Sequence, residues 1–221
     1  MPPGATSATP TQPTVSRGVH GTGQPSDWLL RWQHLLEPGH SAIDVACGAG
    51  RHVRWLSGHG LKVTAVDRDA AALSSLTLLN NVTTLCADLE GSAWPLPGRQ
   101  FDLVLVTHYL WRPLLGTLID AVAPGGLLIY ETFASGQETV GRPSRPDFLL
   151  RPGELLSLTQ ARFHVLGYED GWSADEPMRR VQRVCARRPS PSDAPQTTDA
   201  TLDAQSAHLP QNLRLPAFKP V

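Results

Sequence analysis

Three aspartates, Asp44, Asp67 and Asp88, each stand at the end of a short apolar run: AID, AVD and CAD. They recur about twenty residues apart, the spacing at which a strand–helix–strand unit returns the chain to one edge of a parallel sheet. Carboxylates on such an edge can hold ammonium groups, hydroxyls and amines. Asp44 leads into Val45-Ala46-Cys47-Gly48-Ala49-Gly50. A tight turn from strand to helix needs backbone angles open mainly to glycine, and glycine also lets a ligand approach the main chain. The helix that follows presents free N–H groups and a partial positive charge, which suit a carboxylate. Asp67 has the spacing of a ribose-binding acid, and Asp88 suits an adenine amino group with Leu89 against the ring. Taken singly these are weak signals: a lone GxG is often only a turn, Asp67 competes with a helix-capping role that Asp69 fits better, and Asp88 with that of a solvated loop carboxylate. Three at successive strand ends are far more specific.

The elements that must position them read clearly. Ser26 predicts a cap for a first helix carrying Trp28, Trp32, Leu35 and Leu36 on one face, ended by Pro38 and Gly39. Strands are predicted at 42–46, 61–66, 82–87, 101–107 and 127–132, and helices at 51–58, 69–79 and 113–122, with a turn at Pro124-Gly125-Gly126. The run FDLVLV at 101–106 is apolar on both faces, as a central strand covered on both sides should be. Strands alternating with helices imply right-handed crossovers and an α/β, doubly wound, mostly parallel sheet. Residues 1–24 and 189–221 are rich in Pro, Thr, Ser, Ala and Asp and poor in apolar residues. They are expected to be a disordered N-terminal tail and a flexible C-terminal tail around a single domain at 25–188. Leu213, Leu215 and Phe218 are the apolar exceptions, able to dock on the domain or on a partner.

Bulk properties narrow the function. The 221 residues carry 19 Lys and Arg against 20 Asp and Glu, a net charge of −1, so no excess positive charge draws in a nucleic-acid backbone or an anionic membrane. Cys47, Cys86 and Cys185 are scattered and odd in number, which argues against a disulfide framework or a zinc site and fits a reducing compartment. No apolar run reaches the ~18 residues of a membrane span, and the N-terminus lacks the pattern of a secretory signal. A cytoplasmic protein without a metal is expected.

IDVACGAGRH, the AVD ending the second strand, ADLE after the third, FDLVLVTHYL and APGGLLIYE together resemble the ordered motifs of class I S-adenosylmethionine-dependent methyltransferases, over about residues 28–188. YETFASGQETVGRPSRPDFLLRPGELL is similar to the small, stand-alone tellurite-resistance-type branch. The resemblance implies a seven-stranded Rossmann-like sheet, completed by two further strands for which 163–167 and 181–186 are candidates. It also implies S-adenosyl-L-methionine as cofactor. Asp44 would hold its amino group, directly or through water, while Ala46, Cys47, Gly48 and Gly50 would lie along its methionine portion. Asp67 and Arg68 would meet the ribose, and Asp88 and Leu89 the adenine. Thr107 and His108 would flank the sulfonium and the acceptor. Ala46 departs from the family, where many relatives have a further glycine. Arg51 is expected either to meet the cofactor carboxylate or to lie on the surface, His52 to be a packed or exposed helix residue, and Cys47 an inert small residue rather than a nucleophile.

Methyl transfer from a sulfonium needs alignment and exclusion of water more than a protein nucleophile. His108 is the best candidate base, because its ordinary pKa lies near neutrality; Tyr109 is assigned with it to the catalytic pair, and Glu131 is a further candidate. The segment 133–150 is expected to form a lid, with Arg142 and Arg145 placed to draw in an anion, and Trp111 and Arg112 are expected near the pocket. The favoured acceptor is a small molecule, such as a thiol, a metalloid or another soft nucleophile. RNA or protein methylation is the alternative, set back by the neutral charge and by THYL standing where an NPPY-like tetrad marks many nucleic-acid methylases. A non-catalytic S-adenosylmethionine-binding protein is another. An NAD-dependent oxidoreductase shares the glycine turn and the strand-two acid, but Val53 stands where that fingerprint wants a third small residue.

Overall fold

The computed structural model describes residues 23–173 and 177–193. The fold belongs to the unit that ends at Pro191; of the second unit, from Ser192 onward, only Ser192 and Asp193 are described. Of the expected tails at 1–24 and 189–221, residues 1–22 and 194–221, with Leu213, Leu215 and Phe218, lie outside the described residues.

Chain order runs α1 (Asp27–Arg31), β1 (Ser41–Val45), α2 (Arg51–Gly58), β2 (Lys62–Asp67), α3 (Ala70–Ser74), β3 (Val82–Cys86), β4 (Phe101–Thr107), α4 (Leu115–Asp120), β5 (Val122–Phe133), α5 (Glu154–Thr159), β6 (His164–Trp172) and β7 (Arg180–Arg187). The seven strands form one sheet in the order β3-β2-β1-β4-β5-β7-β6. The pairs from β3 to β5 are parallel, and β7 runs antiparallel to both its neighbours. The chain winds outward from β1 to β3, then returns to lay β4 beside β1, so the strand order reverses between these two, where such sheets open a crevice.

Side chains alternate across the sheet and supply two separate cores. Ile43, Val45, Val104, Val106, Leu128 and Tyr130 face α4 and α5 residues such as Leu118 and Leu155. Ala42, Leu103, Leu105, Val63 and Ile129 face α2 residues Val53 and Leu56 together with Trp28 and Leu29 of α1. This double burial explains the unbroken FDLVLV. Burying side chains of this size contributes about 1.5–3 kcal/mol each.

The predicted elements are present, with α4 shorter than expected at Leu115–Asp120, β6 longer at His164–Trp172, and three others changed in form. Ser26 caps the first helix, accepting from the Leu29 N–H, but that helix lasts only from Asp27 to Arg31 and continues as a tighter 3₁₀ turn over Gln33–Leu35. Asp69 caps α3, accepting from Ala71 and Ala72, yet regular helix stops at Ser74 and turns carry Leu76 into the core. Pro124-Gly125-Gly126 is a bulge within one long strand, since Phe101 pairs with Val122 and Leu103 with Leu127. A Cβ on Gly126 would press on the carbonyls of Ala123, Phe101 and Asp102 at 2.9–3.1 Å, so only glycine fits there.

The segment from Ala134 to Leu150 is pinned rather than loose. Ala134 bridges to Leu150, and the buried Gln137 side chain accepts from the Arg180 N–H at 2.8 Å and donates to the Arg142 carbonyl at 3.2 Å. Arg112 clamps its far end, donating to the Asp147 and Leu149 carbonyls and to both oxygens of Glu154.

Candidate functional site

Strand ends at the β1/β4 reversal carry the predicted residues, and the turn after β1 shapes them. Ala46, Gly48 and Gly50 all have positive φ, at 55°, 55° and 78°. The alanine that departs from the family pattern therefore holds a left-handed conformation that costs a residue with a Cβ about 1–2 kcal/mol. Gly50 serves packing as well as the turn: a Cβ there would meet the Leu76 side chain at 2.6 Å.

Asp44 is fully buried near the end of β1, and neither carboxylate oxygen has a hydrogen-bond partner among the described residues. Burial pushes its carboxyl up to about 8, with Arg51 opposing and Asp67 adding to the rise. Its nearest charge-bearing neighbour is His52, whose Nδ1 lies 3.9 Å from Oδ2. The His52 Nε2 accepts the Ser26 main-chain N–H at 3.1 Å. In a neutral imidazole this puts the proton on Nδ1, facing Asp44 and the Thr107 hydroxyl 3.4 Å away. The ring is neutral because burial, with Arg51 and His108 nearby, holds it down at about 3. His52 is thus a buried member of the site, which its sequence position alone did not reveal.

Three cavities lie around the strand ends, the second sharing Ala46 with the first and Arg51, His108 and Arg179 with the third. The first is lined by Ala46, Asp67, Arg68, Ala87, Asp88, Leu89, Glu90 and Tyr109, and joins the two outer acids with Leu89 as expected. Asp67 is half engaged already: Oδ2 accepts the Gly48 N–H at 2.7 Å and Oδ1 the Asp69 N–H at 2.9 Å, which orients the carboxylate and leaves each oxygen a further lone pair. Asp88 accepts the Glu90 N–H at 3.0 Å. The buried Tyr109 hydroxyl has no partner among the described residues, and burial raises its pKa further above its ordinary value. Tyr109 therefore lines the Asp67–Asp88 cavity and not the two cavities that His108 lines.

The second cavity, bounded by Ala46, Cys47, Gly48, Arg51, His52, Thr107, His108 and Arg179, lies over the glycine turn. Burial drives the Cys47 thiol well above its usual range, and its sulfur lies 3.6 Å from the Gly48 carbonyl, so it lines the turn as an un-ionised side chain.

The third shares Arg51, His108 and Arg179 with the second and adds Pro25, Ser26, Asp27, Glu131 and Arg183. His108 has a positive φ of 54°. Its main-chain N–H donates to the Glu131 carbonyl at 2.9 Å, its ring stacks on Phe133 at 4.9 Å, and Nε2 lies 4.0 Å from Glu131 Oε1. Burial, with Arg51 and Arg179 close by, lowers its pKa to about 4, so it is a neutral and weak base. Glu131 is buried, which raises its carboxyl, against the pull of Arg183 at 3.3 Å. Arg51 is half-buried and donates to the Gln24 carbonyl at 3.3 Å. Arg142 and Arg145 line none of these cavities; Arg145 pairs with Asp147 at 3.0 Å and Arg142 is exposed. Arg179, Arg183 and the Pro25–Asp27 wall escaped sequence reading, because they come from opposite ends of the chain and share no local spacing.

Comparison with known proteins places this geometry. A methyltransferase-domain family matches residues 42–126. A protein-L-isoaspartate O-methyltransferase of Rhodopseudomonas palustris (strain BisB5) is 34% identical over 123 residues, 52% of this chain and 55% of that protein; the chain spans about half the length of the curated relatives it matches. TehB from Haemophilus influenzae superposes with a TM-score of 0.60 at 19% identity, covering 79% of this chain and 64% of TehB. An S-adenosylmethionine-dependent methyltransferase from Mesorhizobium loti gives 0.58 at 20% identity, over 74% and 98%. The cofactor this family uses is S-adenosylmethionine, and the residues fit it: a buried, unpartnered carboxylate for an ammonium, a glycine turn, and two further acids at successive strand ends. Residues 42–126 match a methyltransferase-domain family, and the chain has the fold of the class I S-adenosylmethionine-dependent methyltransferases.

Proposed function

We propose that this protein transfers the methyl group of S-adenosylmethionine to a small-molecule acceptor. The observation that carries the reading is Asp44, a buried carboxylate without a hydrogen bond among the described residues, two residues before Ala46, which is shared by the Asp67–Asp88 cavity and the cavity over the glycine turn. An unpaired buried acid costs stability, and a cationic ligand group offsets that cost. When bound, the cofactor supplies an electrophilic methyl group. The chain's own residues hold and orient: Asp44 the ammonium, the Gly48–Gly50 turn the methionine portion, Asp67 and Arg68 the ribose, and Asp88, Leu89 and Tyr109 the adenine. Thr107 and His108 form the wall between cofactor and acceptor. The Pro25–Asp27 segment, fixed through Ser26 to His52, closes the chamber on the side away from the adenine cavity and favours an acceptor of modest size.

A peptide carboxylate is the second reading, favoured by the curated relative that is a protein-L-isoaspartate O-methyltransferase. One assay separates the two: purified protein with S-adenosylmethionine and a panel of thiols, metalloid oxyanions, small carboxylates and isoaspartyl peptides, read as S-adenosylhomocysteine formed. Turnover confined to small acceptors supports the first reading, and turnover confined to peptides the second. Binding without turnover on any acceptor would make the protein a non-catalytic binder.

A further inference from the structure

We propose that the chamber beside the methionine end receives an acceptor that is itself an anion, a carboxylate or comparable oxyanion, held by Arg51 and Arg179. The inference rests on the methyl-transfer reading above and adds the chemical class of its acceptor.

Three guanidinium groups, those of Arg51, Arg179 and Arg183, line the chamber. Arg183 is committed: its Nε donates to Glu169 at 2.9 Å and its Nη1 to Glu131 at 3.3 Å. Arg51 spends one nitrogen on a neutral acceptor, the Gln24 carbonyl. The Arg179 guanidinium, only partly exposed, makes no hydrogen bond or ion pair among the described residues, although its main-chain N–H is held by the Ser173 hydroxyl at 3.1 Å. Burial weighs most on the Arg51 guanidinium; Glu131 and Asp44 attract it and Arg179 repels it. Of the chamber's acids, Glu131 already serves Arg183, and Asp27 stands exposed on the rim at the first turn of α1. Two guanidiniums line one half-buried wall, with Glu131 the acid that attracts both and no carboxylate within ion-pair distance of either among the described residues, and their N–H groups are donors suited to a planar anion.

The rest of the chamber fits an acceptor that arrives deprotonated. His108 is stacked on Phe133, and Tyr109 lines the other cavity. With an anion no base is required. A lone pair of the acceptor forms the bond to the methyl carbon as the carbon–sulfur bond breaks, and its electron pair stays on sulfur. The acceptor's negative charge and the sulfonium's positive charge cancel, leaving a methyl ester or ether and a neutral thioether, and no proton moves.

The cofactor's own carboxylate is the other anion these arginines could serve, so the test saturates the cofactor site first. The probe is acetate, added to the full chain bound to S-adenosylhomocysteine at ionic strength held constant with chloride. Binding is read by saturation transfer to the acetate methyl protons. We expect acetate to bind this complex, and Arg179→Gln to weaken it roughly tenfold or more. The same variant should leave S-adenosylhomocysteine affinity within about twofold, and Arg145→Gln, on the exposed loop, should change neither. Acetate binding that Arg179→Gln leaves unchanged would overturn the proposal. So would acetate that competes with S-adenosylhomocysteine, with that ligand itself weakened in Arg179→Gln, because the arginine would then belong to the cofactor carboxylate. If the wild-type chain does not bind S-adenosylhomocysteine, the underlying methyl-transfer reading fails and the proposal with it.

Discussion

Asp44 concentrates the chemistry of the site into one titration. Its carboxyl is raised from 3.8 to about 8, chiefly by burial. Between those values the folded, ligand-free protein keeps a proton that the unfolded chain has released, so this residue's contribution to stability is present at low pH and is lost as pH rises toward about 8. A cofactor ammonium needs the ionised form. S-adenosylmethionine binding below about pH 8 should therefore release a proton, and affinity should rise with pH up to that point. Calorimetry in buffers of different ionisation enthalpy measures the release, and Asp44→Asn should abolish it while weakening binding roughly tenfold. Proton-neutral binding by the wild type would refute this role for the residue. Ala46 yields a second prediction at this scale. Ala46→Gly relieves a left-handed alanine and should raise the melting temperature by roughly 2–4 °C, for a gain of about 1 kcal/mol; an unchanged or lower value would show that the turn carries no such strain. The residue types were readable because each acid sits where a strand ends. The side on which Tyr109 falls was not, because the left-handed backbone at His108 breaks the strand's alternation just before it.

At the scale of elements, α1 ties the arginine-lined chamber to the sheet. Trp28 is buried, packs edge-on against Trp32 at 5.6 Å, and carries Arg183 over its ring at 5.3 Å. The docking depends on Gly167 in β6, where a Cβ would run into the Trp32 indole. Gly167→Ala should displace α1 and, through Ser26 and His52, loosen the wall of the site. The expected loss is about 1–3 kcal/mol in denaturant unfolding, together with weaker cofactor binding. Unaltered affinity would show that α1 and the cofactor site are independent. The alternation of strands and helices was legible because each central strand is apolar on both faces. Helix lengths were less so: apolar spacing continues through Leu76 and Leu79, but the chain meets their burial with turns after Ser74. The bulge in β5 reads locally as a turn, since Pro-Gly-Gly carries turn chemistry and only pairing with β4 reveals it as part of a strand.

For the whole molecule, every element from α1 to β7 lies within residues 25–188. We propose this stretch as the autonomous domain. A protein limited to it should unfold cooperatively and bind cofactor within about twofold of the full chain; a broad, non-cooperative transition would refute the boundaries. The seven-strand order places the reversal between β1 and β4, and the acids follow the same end of successive strands, Asp44 in β1, Asp67 closing β2 and Asp88 just after β3. The parallel half of the sheet and its acids were legible as repeated local units. The arginine chamber was not, because it joins residues 25–27, 51, 108, 131, 179 and 183 only through the fold.

The most direct test of the account is calorimetric titration of the full chain with S-adenosylmethionine and, separately, with NADH, alongside Asp67→Ala. The account predicts saturable binding of S-adenosylmethionine, roughly tenfold weaker in the variant, and no comparable binding of NADH. Absence of S-adenosylmethionine binding, or preference for NADH, would contradict it and leave only the α/β fold.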